Sequence, residues 1–226
     1  MSEVNKTSAG DVLHAVAKAG LNYVPVIGAA AAELFGLVVT PPLEKRRQAW
    51  MNEIADRIKA LEGKGINLEG LSQNEQFIDT ILQATAFAIK TSDQEKLDAL
   101  KNAVVNVALQ EAPDKSKSQV FLALIDRFTV WHIKILSFFD NPKAWFEKAG
   151  KKPPTSYMGS MSGVLTTAFP GLAAEEELVN VIWDELHAVG FHRSSGLKTM
   201  MSGDGALAER TTSLGKEFIQ FITAHS

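Results

Sequence analysis

The stretch SDQEKLDALKNAVVNVALQEAPDKSKSQVFLALIDRFTVWHIKILSFFDNP, residues 92–142, decides the fold class. Its apolar residues recur three and four apart. Leu97, Leu100, Val104, Val105 and Ala108 form one series; Val120, Phe121, Leu124 and Ile125 a second; Trp131, Ile135, Leu136, Phe138 and Phe139 a third. Such spacing lines one face of an α-helix, whereas a half-buried strand alternates. Pro113 separates the first helix from the second, spanning 118–126. Thr129 precedes the third at 130–139, and Asn141 with Pro142 starts a short fourth with Trp145 and Phe146.

Toward the N-terminus the same period continues. Ser72 with Glu75 and Ser92 with Glu95 have the spacing of capping boxes, in which hydroxyl and carboxylate each satisfy a free amide of the first turn. The first box opens a helix with Phe77, Ile78, Ile81, Leu82 and Ile89 on one side. Before it, Trp50, Met51, Ile54, Ile58 and Leu61 mark the buried stripe of a helix seeded by Pro41 and Pro42 and closed by Gly63 and Gly65. An apolar segment fills 23–40, and an amphipathic helix with Val12, Leu13, Val16 and Ala17 ends near Gly20.

Toward the C-terminus, residues 151–172 hold no acidic residue and three prolines, and read as a long linker or ordered loop. Helical period returns at 175–189 and stops at Gly190. Residues 192–212 lose it, and 214–223 regain it, an order of helix, short β-hairpin, helix. The expected fold is mainly α: a multi-helix bundle over 1–110, and over 111–226 a winged-helix-like C-terminal unit containing a small β-hairpin, with an insertion near 141–172, packed on the first.

Composition narrows the chemistry. The chain has 226 residues, 46% apolar and 22% charged, with a formal charge of −3 and no cysteine. That balance excludes a disordered or collagen-like chain, and the missing cysteines exclude disulfides, thiolate metal sites and cysteine nucleophiles. Residues 1–20 lack the basic start and apolar run of a secretory signal, so a cytoplasmic protein is expected, with membrane association as the alternative. No phosphate loop, dinucleotide fingerprint, zincin helix or calcium loop is present, and GSMSG at 159–163 has methionine where a nucleophile elbow needs serine. Asp184 and His187, with His192 nearby, read as an ordinary polar helix face, and the acidic run 175–177 as helix-start charge. No catalytic residue, cofactor or metal ligand is expected, and no small-molecule substrate.

Two segments point to binding. YVPVIGAAAAELFGLVVT, residues 23–40, nearly reaches bilayer length and is followed by Lys45, Arg46 and Arg47, with Gly28, Ala32 and Gly36 four apart. Glu33 in its middle would cost about 2.5–3.5 kcal/mol at the bilayer centre, which favours a buried core helix. Tyr23, Val26, Glu33, Leu34 and Leu37 are its candidate membrane or partner surface. In the acid-free loop, Tyr157, Met158, Met161 and Phe169 are candidates to dock a partner, against the alternative that they pack over the core. The winged-helix order invites DNA, but residues 173–226 carry −4, and the would-be recognition helix holds Glu175, Glu176, Glu177, Asp184 and Glu185. Phosphate neutralisation needs the opposite sign, so nucleic acid is not the expected partner.

The pattern SDQEKLDALKNAVVNVAL (92–109) followed by VFLALIDRFTVWHIKILSFF (120–139) resembles the bacterial Abi-alpha family, associated with abortive infection and phage defence. IWDELHAVGF (182–191) and TTSLGKEFIQFIT (211–223) are similar to that family's closing helices, and the layout of 25–61 is similar to its N-terminal part. Residues 141–172 depart from the pattern. The resemblance implies a non-enzymatic interaction protein in bacterial defence, with a protein partner or a second copy of itself bound. The rival readings are a membrane-active effector inserting 23–40 and a winged-helix regulator.

Overall fold

The computed structural model describes residues 29–63, 65–194 and 196–224, with side chains from Pro42 onward. Among these the chain is mainly helical, with one two-stranded antiparallel sheet. Two units divide it, Met1–Ala49 and Trp50–Ser226. The expected helix ending near Gly20, and Tyr23 and Val26, lie outside the described residues.

Helix α1, Ala29–Glu62, corrects the expected break at Pro41 and Pro42 by running through both. Adjacent prolines forfeit the bonds to the carbonyls of 37 and 38 and crowd those carbonyls, yet the helix continues on both sides. Glu33, Leu34 and Leu37 lie in this helix, with side chains outside the described set. In the first unit Glu44 and Arg47 face one another at 3.9 Å, one turn apart. Among the described residues no helix is long and apolar enough to cross a membrane.

In the second unit α1 buries Trp50, Ile54 and Leu61 and half-buries Ile58, as its period predicts. Met51 is off the stripe and 44% exposed, because it sits about 100° round the helix from Trp50. Gly65, at φ +86°, lets the chain leave, with its amide on the Glu62 carbonyl.

Two capping predictions are corrected. Ser72 ends the short helix α2, Leu68–Leu71, where its Oγ donates to the Glu69 carbonyl. Asn74 instead caps α3, Glu75–Ala88, by accepting from the Phe77 amide at 3.1 Å. Helix α4, Gln94–Ala108, is preceded by Asp93 rather than Ser92, with no side-chain cap bond. The buried face of α3 is Phe77, Thr80, Ala84 and Ala88, and Leu82 is 65% exposed. Small residues on that face let α3 come close to α4, which displaces the larger side chains to its flanks.

Helix α4 is the axis of the unit. Ala99, Leu100, Ala103, Val104, Val107 and Ala108 are buried, and so are Lys101 and Asn106. Around it pack α5, Lys115–Arg127, and α11, Ser213–Ile222. Val120 of α5, expected in the core, is 57% exposed. Between them run α6, Val130–Asp140, and α7, Pro142–Lys148, the latter capped by Asn141 as its sequence predicts.

The expected loop at 151–172 is partly ordered structure. It contains β1, Met158–Gly159, helix α8, Met161–Ala168, and the start of a 3₁₀ turn, Pro170–Ala174. Helix α9, Glu176–Ala188, follows and ends at Gly190, φ +81°. The hairpin expected within 192–212 is replaced by a single bridge, His192 with Thr211. The sheet forms instead between β1 and β2, Met201–Ser202, which precedes the short helix α10, Gly203–Ala206.

Two aromatic clusters fill the interior. Phe121, Phe128, Phe191, Phe218 and Phe221 join α5, α11 and the chain after α9. Phe138, Trp145 and Phe169 meet at 4.9–5.7 Å, and Trp131 and Phe146 extend this second cluster. Edge-on rings of this kind gain about 0.5–1.5 kcal/mol per pair beyond area burial.

Candidate partner-docking surface

After α7 the chain turns at Gly150, φ +62°, and Lys151 pins it by donating to the Ala168 carbonyl at 2.8 Å while lying over the Trp145 ring. Pro153 and Pro154 then keep the backbone out of helix as far as Tyr157. In β1 and β2, Met158 opposes Ser202 and Gly159 opposes Met201, and the Gly203 amide continues the pairing onto the Tyr157 carbonyl at 3.0 Å. Strand alternation puts Met158 and Ser202 on one face, and Met200 directly precedes β2.

Met158 on that face is 48% exposed, and the residues just before the two strands, Tyr157 before β1 and Met200 before β2, are 91% and 62% exposed. The opposite face looks inward: Met201 packs on the core, and a Cβ added at Gly159 would lie 3.9 Å from the Ala206 methyl. Arg210 supports this side, its Nη2 donating to the Gly205 carbonyl and lying 3.2 Å from Met201 Sδ. Neither strand has a further strand beside it among the described residues. The chain just beyond each strand is fixed as well. Ser160 Oγ accepts from Gly163 N at 3.2 Å at the start of α8, and the Ser162 amide bonds the Leu197 carbonyl at 2.9 Å.

The four loop candidates therefore separate. Tyr157 and Met158 are both exposed, whereas Met161, the first residue of α8, is fully buried and Phe169 is packed against Trp131, Phe138 and Trp145. For Met161 and Phe169 the docking expectation is corrected. They fall on the inward side of elements that the loop reading omitted. Met200 was missed because it lies in a glycine-rich stretch with no period, and only the pairing with β1 brings it beside Met158.

The polar set Asp184, His187 and His192 is held by other bonds. His192 is buried and stacked on Trp183 with ring centres 3.6 Å apart. Its Nε2 faces the Trp183 carbonyl at 2.8 Å, and its Nδ1 accepts from the Ser194 amide at 3.3 Å. His187 Nδ1 lies 3.1 Å from the His192 carbonyl. Among the described residues no group of three or more metal-ligating side chains is assembled.

A second buried histidine, His132 of α6, was not singled out by the sequence. It stacks on Phe128 at 4.7 Å. Its Nδ1 accepts from the Thr129 amide at 3.1 Å and lies 2.9 Å from the Thr129 hydroxyl, and its Nε2 faces Glu185 Oε2 of α9 at 3.0 Å. Arg127 approaches the same carboxylate at 3.6 Å.

Comparison with family models, with curated proteins and with solved structures finds no match for the chain.

Proposed function

We propose that this chain is a non-enzymatic interaction protein of bacterial phage defence, acting by docking a protein through the exposed face of its strand pair. One observation carries the docking part: Met158 of β1, with Tyr157 just before β1 and Met200 just before β2, stands exposed at a strand pair that Met201 anchors to the core. Exposed aromatic and methionine side chains on a rigid support suit a protein interface, because they offer apolar area at little ordering cost. An extended partner segment could also add a strand beside β1 or β2. The defence part rests on the resemblance of 92–139 and 182–223 to the Abi-alpha pattern.

The winged-helix regulator has less support. It needs a basic footprint, yet Arg210 is engaged with the Gly205 carbonyl beneath the sheet, and the first turn of α9 carries Glu176 and Glu177. For the defence reading, phage plating on bacteria expressing the chain is decisive. Wild type lowers plating efficiency, and a folded Tyr157→Ser/Met158→Ser/Met200→Ser variant restores it. Unchanged plating with wild type, or undiminished protection by the triple variant, overturns the proposal.

A further inference from the structure

The buried histidines His132 and His192 come from different elements, and both close onto helix α9. Their hydrogen-bond partners leave one choice of tautomer. A backbone amide can only donate, so each Nδ1, facing Thr129 N–H or Ser194 N–H, must accept. A carbonyl can only accept, so His192 Nε2 carries the hydrogen toward the Trp183 carbonyl. By the same reasoning His132 Nε2–H donates to the Glu185 carboxylate. Adding a proton to either ring would put a new N–H on Nδ1. At His192 it would point at the Ser194 N–H, turning a hydrogen bond into a repulsion between two donors; at His132 it would break the bond from the Thr129 amide and turn to the Thr129 hydroxyl, 2.9 Å away.

We propose that His132 and His192 form a paired acid latch on α9, holding that helix and the following 191–194 segment closed while both rings are neutral and releasing them on protonation. The charged groups that face the rings set the balance. His132 meets Glu185 from α9, which favours its proton, and Arg127 of α5 and Lys96 of α4, which oppose it. His192 meets Asp184, which favours the proton, and His187, which opposes it, both from α9. Burial is the largest influence on each, and the pKa of both rings lies below the ordinary histidine value of about 6.5. A lowered value means that the open state binds protons more readily than the closed one. The latch is therefore at full strength above about pH 6.5 and weakens as pH falls toward the closed-state values. Each histidine that gains its proton only on opening favours the open form by about tenfold per pH unit in that range.

The test uses the full ¹⁵N-labelled chain, following imidazole ¹H–¹⁵N spectra and backbone amide exchange from about pH 8 to about pH 4.5. Both rings should show the Nε2–H form at the upper end and titrate below the ordinary histidine value. Exchange at 183–194, corrected for its intrinsic rate, should accelerate as pH falls while amides 100–107 of α4 hold theirs. His132→Gln with His192→Gln should remove the acceleration, since glutamine keeps a donor toward α9 and takes up no proton. Should that double variant fail to fold, the wild-type tautomers and exchange profile decide alone. An Nδ1–H form for either ring, titration of both at the ordinary value, or acid-driven exchange spread equally over α4 overturns the latch.

Discussion

Asn106 illustrates what a single polar residue does in this core. It is fully buried in α4, and its Nδ2 lies within 2.9–3.1 Å of the carbonyls of Gln220, Phe221 and Thr223. One turn earlier, Asn102 donates to the Ile222 carbonyl at 2.9 Å. A helix C-terminus leaves its last carbonyls without internal partners, and these two amides satisfy the end of α11 from outside. Asn106→Ala should therefore lower stability by about 2–3 kcal/mol in denaturant titration. Asn106→Asp, nearly the same shape, should be worse, since it aims a carboxylate at three carbonyls. Equal stability of the Asp variant and wild type would refute the capping role. Gly203 is constrained by close approach rather than polarity: a Cβ there would collide with the Ser156 carbonyl. Gly203→Ala should part β1 from β2, and amide exchange at Gly159 and Met201, the hydrogen-bonded pair next to Tyr157 and Gly203, should report it. The sequence names Asn106 and Gly203 without showing either role, because both depend on residues about 50 to 115 positions away coming into contact.

At the scale of elements, period was legible and caps were not. The helices at 118–126 and 130–139 appear almost as read, because their buried phenylalanines and isoleucines recur at helical spacing. The capping boxes failed because Asn74 and Asp93 stand two residues and one residue after the serines, and so short a choice between good caps is settled by the turn before the helix. Asn74→Ala should then cost about 1 kcal/mol in thermal or chemical unfolding, while Ser72→Ala, at an exposed hydroxyl, costs a few tenths at most. The reverse order would restore the capping box to Ser72. Helix α8 was hidden because eight residues, MSGVLTTA, are too few to show a period among small side chains. Its cap was in the sequence, since Ser160 precedes it and accepts from Gly163 N. Hidden with it was the inward fate of Met161, and the sheet went astray because its strands lie some 40 residues apart.

The second unit divides into a core and a surface. Its core is held by two aromatic clusters and by α4, and acid stability should show this division. Lys101 of α4 pairs with Glu53 of α1 and, within α4, with Asp98 at 2.8 Å; partial burial opposes the charge of Asp98, but its bonds to Lys101 and Gln94 outweigh that and lower its pKa, which keeps the pair intact to low pH. The α9 region should loosen first, near the histidine range, and the α4 axis only as carboxylates protonate, giving two acid transitions by exchange rather than one. The candidate surface was half legible: Tyr157 and Met158 stand out in an acid-free loop, while their companion Met200 is joined to them only by strand pairing. The central claim is that the exposed patch of Tyr157, Met158 and Met200 meets a protein partner. Photocrosslinking during phage infection tests it most directly, with p-benzoylphenylalanine replacing Tyr157 or Met200, and Leu82, 65% exposed on α3, as the control position. The account predicts one discrete protein adduct, the same from 157 and 200, and none from 82. Adducts from all three positions alike, or from neither 157 nor 200, would contradict it.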